Sequence, residues 1–136
     1  MTRVSVEGEI TAPVEKVWEV LRAFGDLRWA RIEATLEGEG VGSIRTFKTT
    51  AGDLVVQERL ESLDEVAREL SYTLLDAGSL PWTDYLASIA LRDRDGHTHL
   101  TWQARFEPRG VTEEQAQAIV RNIFENGIRN LQRATA

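Results

Sequence analysis

The chain has 136 residues, with 16 Lys plus Arg against 22 Asp plus Glu, a formal net charge of −6, no cysteine, two histidines and one methionine. One domain with its own core is expected at this length, and the missing thiol excludes disulfides, cysteine nucleophiles and thiolate-held metal clusters. The acidic balance argues against a general nucleic-acid surface, because phosphate binding needs clustered cations.

The N-terminal residues carry no apolar signal-like stretch, and no run approaches the roughly 18 apolar residues of a membrane span, so a cytoplasmic location without membrane insertion is the expectation. Residues 3–11 alternate Val4, Val6 and Ile10 with Ser5, Glu7 and Glu9, the period of a half-buried strand. Pro13 then stands at a first helical position, and Val14, Val17, Trp18 and Leu21 recur at helical spacing as far as Phe24, where Gly25 ends the helix. Residues 26–30 read as a short second helix and residues 32–37 as the next strand.

Gly38, Gly40 and Gly42 mark a hairpin-like connection. After it, residues 43–50, 54–63, 66–76, 83–92 and 98–107 each read as a strand, separated by turn residues such as Asp64-Glu65 and Asp95-Gly96. Thr112 followed by Glu113, Glu114 and Gln115 is a helix start with a side-chain cap and acids near the positive end of the dipole. The last helix runs to about Arg133, and Ala116, Ile119, Val120, Ile123, Phe124, Gly127, Ile128 and Leu131 make one broad apolar face. Its partner is the alternating sheet. The expected class is therefore α+β, an antiparallel sheet of about seven strands with one face on a long C-terminal helix and the other to water.

Strand parity selects polar residues on the inner face. Glu58 shares a face with Val56 and Leu60, and Arg45 shares one with Phe47. The two strands are consecutive, so an Arg45 to Glu58 ion pair inside a partly apolar cup is the expected polar anchor of a pocket. A core would not need it, because a buried pair gains little over apolar residues of the same volume; the alternative is a structural ion pair, or a bulge that turns one of them outward. Tyr72, Tyr85 and Trp102 fall on the inner parity, where aromatics suit a cavity wall, and Trp29 and Trp82 are the further aromatic candidates. For Trp102, core and pocket lining are equally good readings. Gly127, mid-helix, marks either room for a ligand or a close helix-to-sheet contact, and Asn126 beside it either a polar contact or a solvated residue.

Other motifs carry less. Gly38-x-Gly40-x-Gly42 lacks the last glycine of a dinucleotide fingerprint and precedes a strand, and Asp93-x-Asp95-Gly96 is too short for a calcium loop. His97 and His99 share the outer parity of their strand and, without a third ligand, read as solvated histidines; no metal or cofactor is expected. There is no Gly-x-Ser-x-Gly elbow and no inward histidine to activate a serine.

Ala12-Pro13-Val14-Glu15-Lys16-Val17-Trp18, Gly40-Val41-Gly42-Ser43-Ile44-Arg45, Glu58-Arg59-Leu60-Glu61-Ser62-Leu63-Asp64 and Leu100-Thr101-Trp102, in this element order, resemble the helix-grip proteins of the START/Bet v 1-like (SRPBCC) superfamily. The likeness is to the bacterial polyketide cyclase/dehydrase-like members and, more distantly, to plant abscisic acid receptors. It implies a curved sheet wrapped around the C-terminal helix, an apolar cavity between them, and a mouth controlled by Ala51-Gly52-Asp53 and Gly78-Ser79-Leu80-Pro81-Trp82. The first of these loops is shorter than the receptors' gate and lacks its Ser-Gly-Leu-Pro sequence, which argues against receptor signalling.

One scaffold hosts many functions in this superfamily. The leading expectation is binding of a small hydrophobic ligand, a lipid, polyketide or other aromatic or isoprenoid-like molecule, whose polar or anionic group meets Arg45. Its expected contacts are Arg45, Phe47, Glu58, Tyr72, Trp82, Tyr85, Trp102, Val120, Ile123, Phe124 and Gly127. The alternative is a cyclase or dehydratase in which Glu58 abstracts a proton alpha to a carbonyl and Arg45 stabilises the enolate. Against it, a carboxylate locked to an arginine is a poor base. A third reading is a protein-binding or co-chaperone module using the sheet's outer face.

Overall fold

The computed structural model describes residues 1–49, 54–76 and 79–136. Of the two expected mouth loops, residues 51–53 and Gly78 lie outside the described residues. The elements in chain order are β1 (Thr2–Ile10), α1 (Val14–Arg22), a single 3-10 turn (Arg28–Ala30), β2 (Ala34–Glu37), β3 (Ile44–Lys48), β4 (Val55–Asp64), β5 (Glu69–Leu74), β6 (Trp82–Arg94), β7 (His97–Pro108) and α2 (Glu113–Thr135). The seven strands form one antiparallel sheet in the order β1-β7-β6-β5-β4-β3-β2. Strands β2 to β7 follow one another as a meander, and β1 closes onto the last strand. The α+β helix-grip arrangement expected from the element order is the one observed.

Alternation dictates which face is buried. Val4, Val6 and Ile10 of β1, Leu100, Trp102, Ala104 and Phe106 of β7, and Ala87, Ile89 and Leu91 of β6 all turn to the side that α2 covers. The helix starts as its sequence requires: the Thr112 side chain accepts the backbone N–H of Gln115 (3.1 Å) while the Gln115 side chain accepts the backbone N–H of Thr112 (2.9 Å). Its apolar stripe is wider than the face it buries. Ala116, Val120, Phe124, Gly127 and Leu131 are buried, whereas Ile119 and Ile123 at the edge of the stripe stay exposed.

Local geometry moves several expected boundaries. The expected second helix, residues 26–30, is only one 3-10 turn, because Asp26 Oδ1 takes the backbone N–H of Arg28 (3.1 Å) and Arg31 at φ 61° stops propagation. The expected strand at residues 66–76 begins at Glu69. Asp64 Oδ1 accepts the backbone N–H groups of Val66 and Ala67 (both 3.0 Å), which folds residues 65–68 into the hairpin turn. The Asp95-Gly96 turn stands as expected, with φ of 54° and 89°, the left-handed pair that a two-residue hairpin needs.

Two bulges matter for the site. One lies between Leu60 and Ser62 on β4, and the other between Thr83 and Leu86 on β6, where Asp84 takes φ 53°. The second lets Trp82 and Tyr85, of opposite sequence parity, both turn inward and stack at 5.7 Å.

A cavity anchored by one ion pair

Between the sheet, the α1-to-3-10 segment and the middle of α2 lies a partly enclosed cavity of about 390 Å³, within the range of small-molecule sites. Leu21, Phe24, Leu27 and Trp29 close one side, Val56, Leu70, Leu74 and Ile89 form the sheet wall, and Leu80 borders it from the β5 to β6 connection. Arg109 holds that last segment by donating its backbone N–H to the Pro81 carbonyl and Nη2 to the Leu80 carbonyl, each at 2.8 Å.

Arg45 and Glu58 stand directly opposite each other in the β3–β4 register. Arg45 Nε donates to Glu58 Oε1 (2.9 Å), Nη2 lies 2.7 Å from the same oxygen, and Nη1 donates to the Phe24 carbonyl (3.0 Å). Side-chain exposures of 12% and 11% make it a largely buried pair. Two rings border the guanidinium: its Cζ is 4.0 Å from the Phe24 ring centroid and 4.9 Å from that of Tyr72. Phe24 thus supplies a ring, a carbonyl and a wall at once. Helical spacing marks it only as the end of a helix, and the helix stops two residues earlier, at Arg22.

Of the expected contacts, Arg45, Phe47, Glu58, Tyr72, Trp82, Tyr85, Trp102, Ile123, Phe124 and Gly127 all line this cavity. Val120 does not. It is 0% exposed and packs within the core one turn below Phe124, where a helical position facing the sheet meets side chains rather than open space. Gly127 marks a close contact: an ideal Cβ there would fall 2.4 Å from Trp102 Cζ3. Trp102 is both core and lining. It stacks on Phe124 at 4.6 Å and 12° and donates Nε1–H to the Tyr72 hydroxyl (3.1 Å). Burial, then the Glu58 charge, push the Tyr72 phenol above its ordinary range; burial, then Tyr72 and Glu58, do the same for Tyr85. Both are neutral phenols at physiological pH.

A wider hollow of about 950 Å³ lies against β2, β3 and the 3-10 turn, lined by Asp26, Arg28, Arg31, Glu33 and Lys48 among others. It is open to solvent and mixed in charge, so the smaller, more apolar cavity is the better site.

The histidines correct an expectation. His97 and His99 lie on the outer face as parity requires, but His99 is only 14% exposed and is not a solvated side chain. Its Nδ1 is 2.7 Å from Glu9 Oε1 and its Nε2 2.9 Å from Glu7 Oε1, while His97 Nε2 is 3.1 Å from Glu9 Oε2. The cause is register: Glu9 pairs with His99 across β1 and β7. Among the described residues no group of three or more His, Asp or Glu is arranged to hold a metal ion, and no helix is long and apolar enough to cross a membrane.

A sequence profile of the family described as polyketide cyclase/dehydrase and lipid transport matches residues 1–136. Among solved structures, the chain is similar to the protein XoxI from Bacillus cereus (26% identity, 99% of this chain and 96% of that one, TM-score 0.89). It is also similar to an uncharacterized protein from Bacillus thuringiensis (26% identity, 98% of both chains, TM-score 0.88). Ara h 8.0201, at 14% identity over 98% of this chain and 96% of that one with a TM-score of 0.79, shares the fold. No curated protein matches the chain. With the profile spanning the whole length and the sheet, helix and cavity arranged as described, the chain belongs to the polyketide cyclase/dehydrase and lipid transport family of the START/Bet v 1-like superfamily.

Proposed function

We propose that this protein holds a small hydrophobic molecule in the cavity between the sheet, α1 and α2, and does not transform it. The observation that carries this reading is the cavity itself: about 390 Å³ with mainly apolar and aromatic walls, and its two charged groups paired with each other. Burial of an apolar ligand against such walls supplies the binding energy, and the few polar atoms set its orientation.

A cyclase or dehydratase would use Glu58 as base and Arg45 to meet an enolate oxygen. Arg45 spends Nε and Nη2 on Glu58 and Nη1 on the Phe24 carbonyl, and the Phe24 and Tyr72 rings lie against its guanidinium. Binding without turnover makes no such demand on it.

Denaturing the protein as purified from its own cells and analysing the released small molecules by mass spectrometry tests the proposal. An apolar molecule in near-stoichiometric amount is the expected result. The absence of both a released molecule and thermal stabilisation by any lipid, flavonoid or polyketide would overturn it. Turnover of a polyketide that is lost in Glu58→Gln would move the assignment to the enzyme reading.

A further inference from the structure

The cavity's polar end is an acceptor, although a cation stands in its wall. Arg45 is spent, its charge matched by Glu58 at 2.7 Å. Glu58 is not spent. Both of its contacts with Arg45 fall on Oε1, and among the described residues no donor reaches Oε2. Tyr85, only 7% exposed, has no hydrogen-bond partner for its hydroxyl among the described residues, and the Tyr72 hydroxyl accepts from Trp102 while keeping its own proton to give. Glu58 and Tyr85 both line the cavity, so this unused hydrogen-bonding capacity is open to a bound molecule in place of water.

From this placement we infer that the cavity selects an uncharged ligand whose polar end is a hydroxyl or N–H donating to Glu58 Oε2, with the Tyr85 and Tyr72 hydroxyls on hand for an acceptor atom of the same molecule. Carboxylates, sulfonates and phosphates on the same skeleton are turned away. An anion would set a second negative charge beside a largely buried carboxylate whose counterion is already committed. A cation would meet the guanidinium in the same place. The inference rests on the reading that the cavity binds a ligand at all, and it reverses the expectation that Arg45 greets an anionic group.

Two dyes of one skeleton separate these statements: N-phenylnaphthylamine, neutral with one N–H, and anilinonaphthalene sulfonate, which adds a negative charge. Fluorescence titration of the wild-type protein should give a Kd about ten-fold or more lower for the neutral dye, and the neutral dye should shift the Trp102 indole resonance. In Glu58→Gln, with Arg45 freed of its counterion, the sulfonate should gain about ten-fold and the preference should narrow or invert. If both dyes shift the Trp102 resonance and bind the wild type equally, or the sulfonate binds better, the charge selection is wrong while the cavity reading stands. If neither dye moves that resonance, the cavity reading falls and this inference with it. Should Glu58→Gln fail to fold, the wild-type pair of titrations still decides.

Discussion

The ring of Trp102 occupies the space that any side chain at position 127 would need, with Cζ3 2.4 Å and Cη2 2.8 Å from an ideal Cβ on Gly127. The ring has no easy retreat, because its face is stacked on Phe124 and its indole N–H is bonded to Tyr72. Gly127→Ala gains about 1 kcal/mol of helix propensity but forces a rearrangement of a kind that costs about 1–3 kcal/mol. The expected result is a lower urea midpoint at unchanged m-value. A variant as stable as wild type or more so would show that α2 can shift away from the sheet at no cost.

The Arg45–Glu58 pair should behave as a unit. Removing one partner strands the other charge at 11–12% exposure, so Arg45→Met or Glu58→Leu should each cost about 3 kcal/mol, whereas the double variant Arg45→Met with Glu58→Leu should cost clearly less than the sum. Chemical denaturation of the four proteins gives the coupling energy directly. Additive losses would mean that the two charges are solvated independently.

The two buried tyrosines should respond differently to loss of a hydroxyl. Tyr72→Phe leaves the Trp102 indole N–H, buried in the same wall, without its acceptor, which should cost about 1–2 kcal/mol. Tyr85→Phe removes a hydroxyl with no partner among the described residues, so its stability should stay within about 0.5 kcal/mol of wild type. Thermal and urea melts of both variants make the comparison. Equal losses would show that the Tyr85 hydroxyl is already satisfied.

How much of this was legible beforehand depended on whether a feature was local. The ion pair followed from alternation within two consecutive strands joined by one hairpin, and the bulge on β4 falls after Glu58, so parity held as far as it was needed. Trp82 and Tyr85 could not be placed on one wall by counting, because the bulge at Asp84 adds a residue that no alternation reveals. Periodicity put Val120 and Phe124 on one helix face, but only the packing around them decides that the first meets core and the second borders open space. The fit of Gly127 to Trp102 and of Glu9 to His99 each joins residues about 25 to 90 positions apart. Such pairings depend on the register of distant elements, which local pattern does not report.

The outer face of β1 and β7 should make stability fall as pH rises from mildly acidic to alkaline. His99 sits between Glu9 and Glu7, and these hydrogen bonds, Glu9 first, raise its pKa above the ordinary 6.5 against the smaller opposing effects of burial and Arg94. A group whose folded pKa is raised contributes stability that is fully present below its unfolded value and is lost as pH climbs through the folded one. Glu9 has the opposite sign. The His99 hydrogen bond, then Arg94 and the histidine charges, lower it below its usual 4.5, so its contribution is present above that value and is lost only on acidification through the lowered folded pKa. Together they place this cluster's greatest contribution between about pH 4.5 and pH 6.5. Urea midpoints should therefore decline between pH 6 and pH 8, and His99→Gln should flatten that decline while leaving dye binding in the cavity on the opposite face unchanged. NMR titration of the His99 ring should show its midpoint above 6.5. A midpoint at or below that value would mean that the two carboxylates do not hold the ring as an imidazolium, and the pH dependence would have to come from elsewhere.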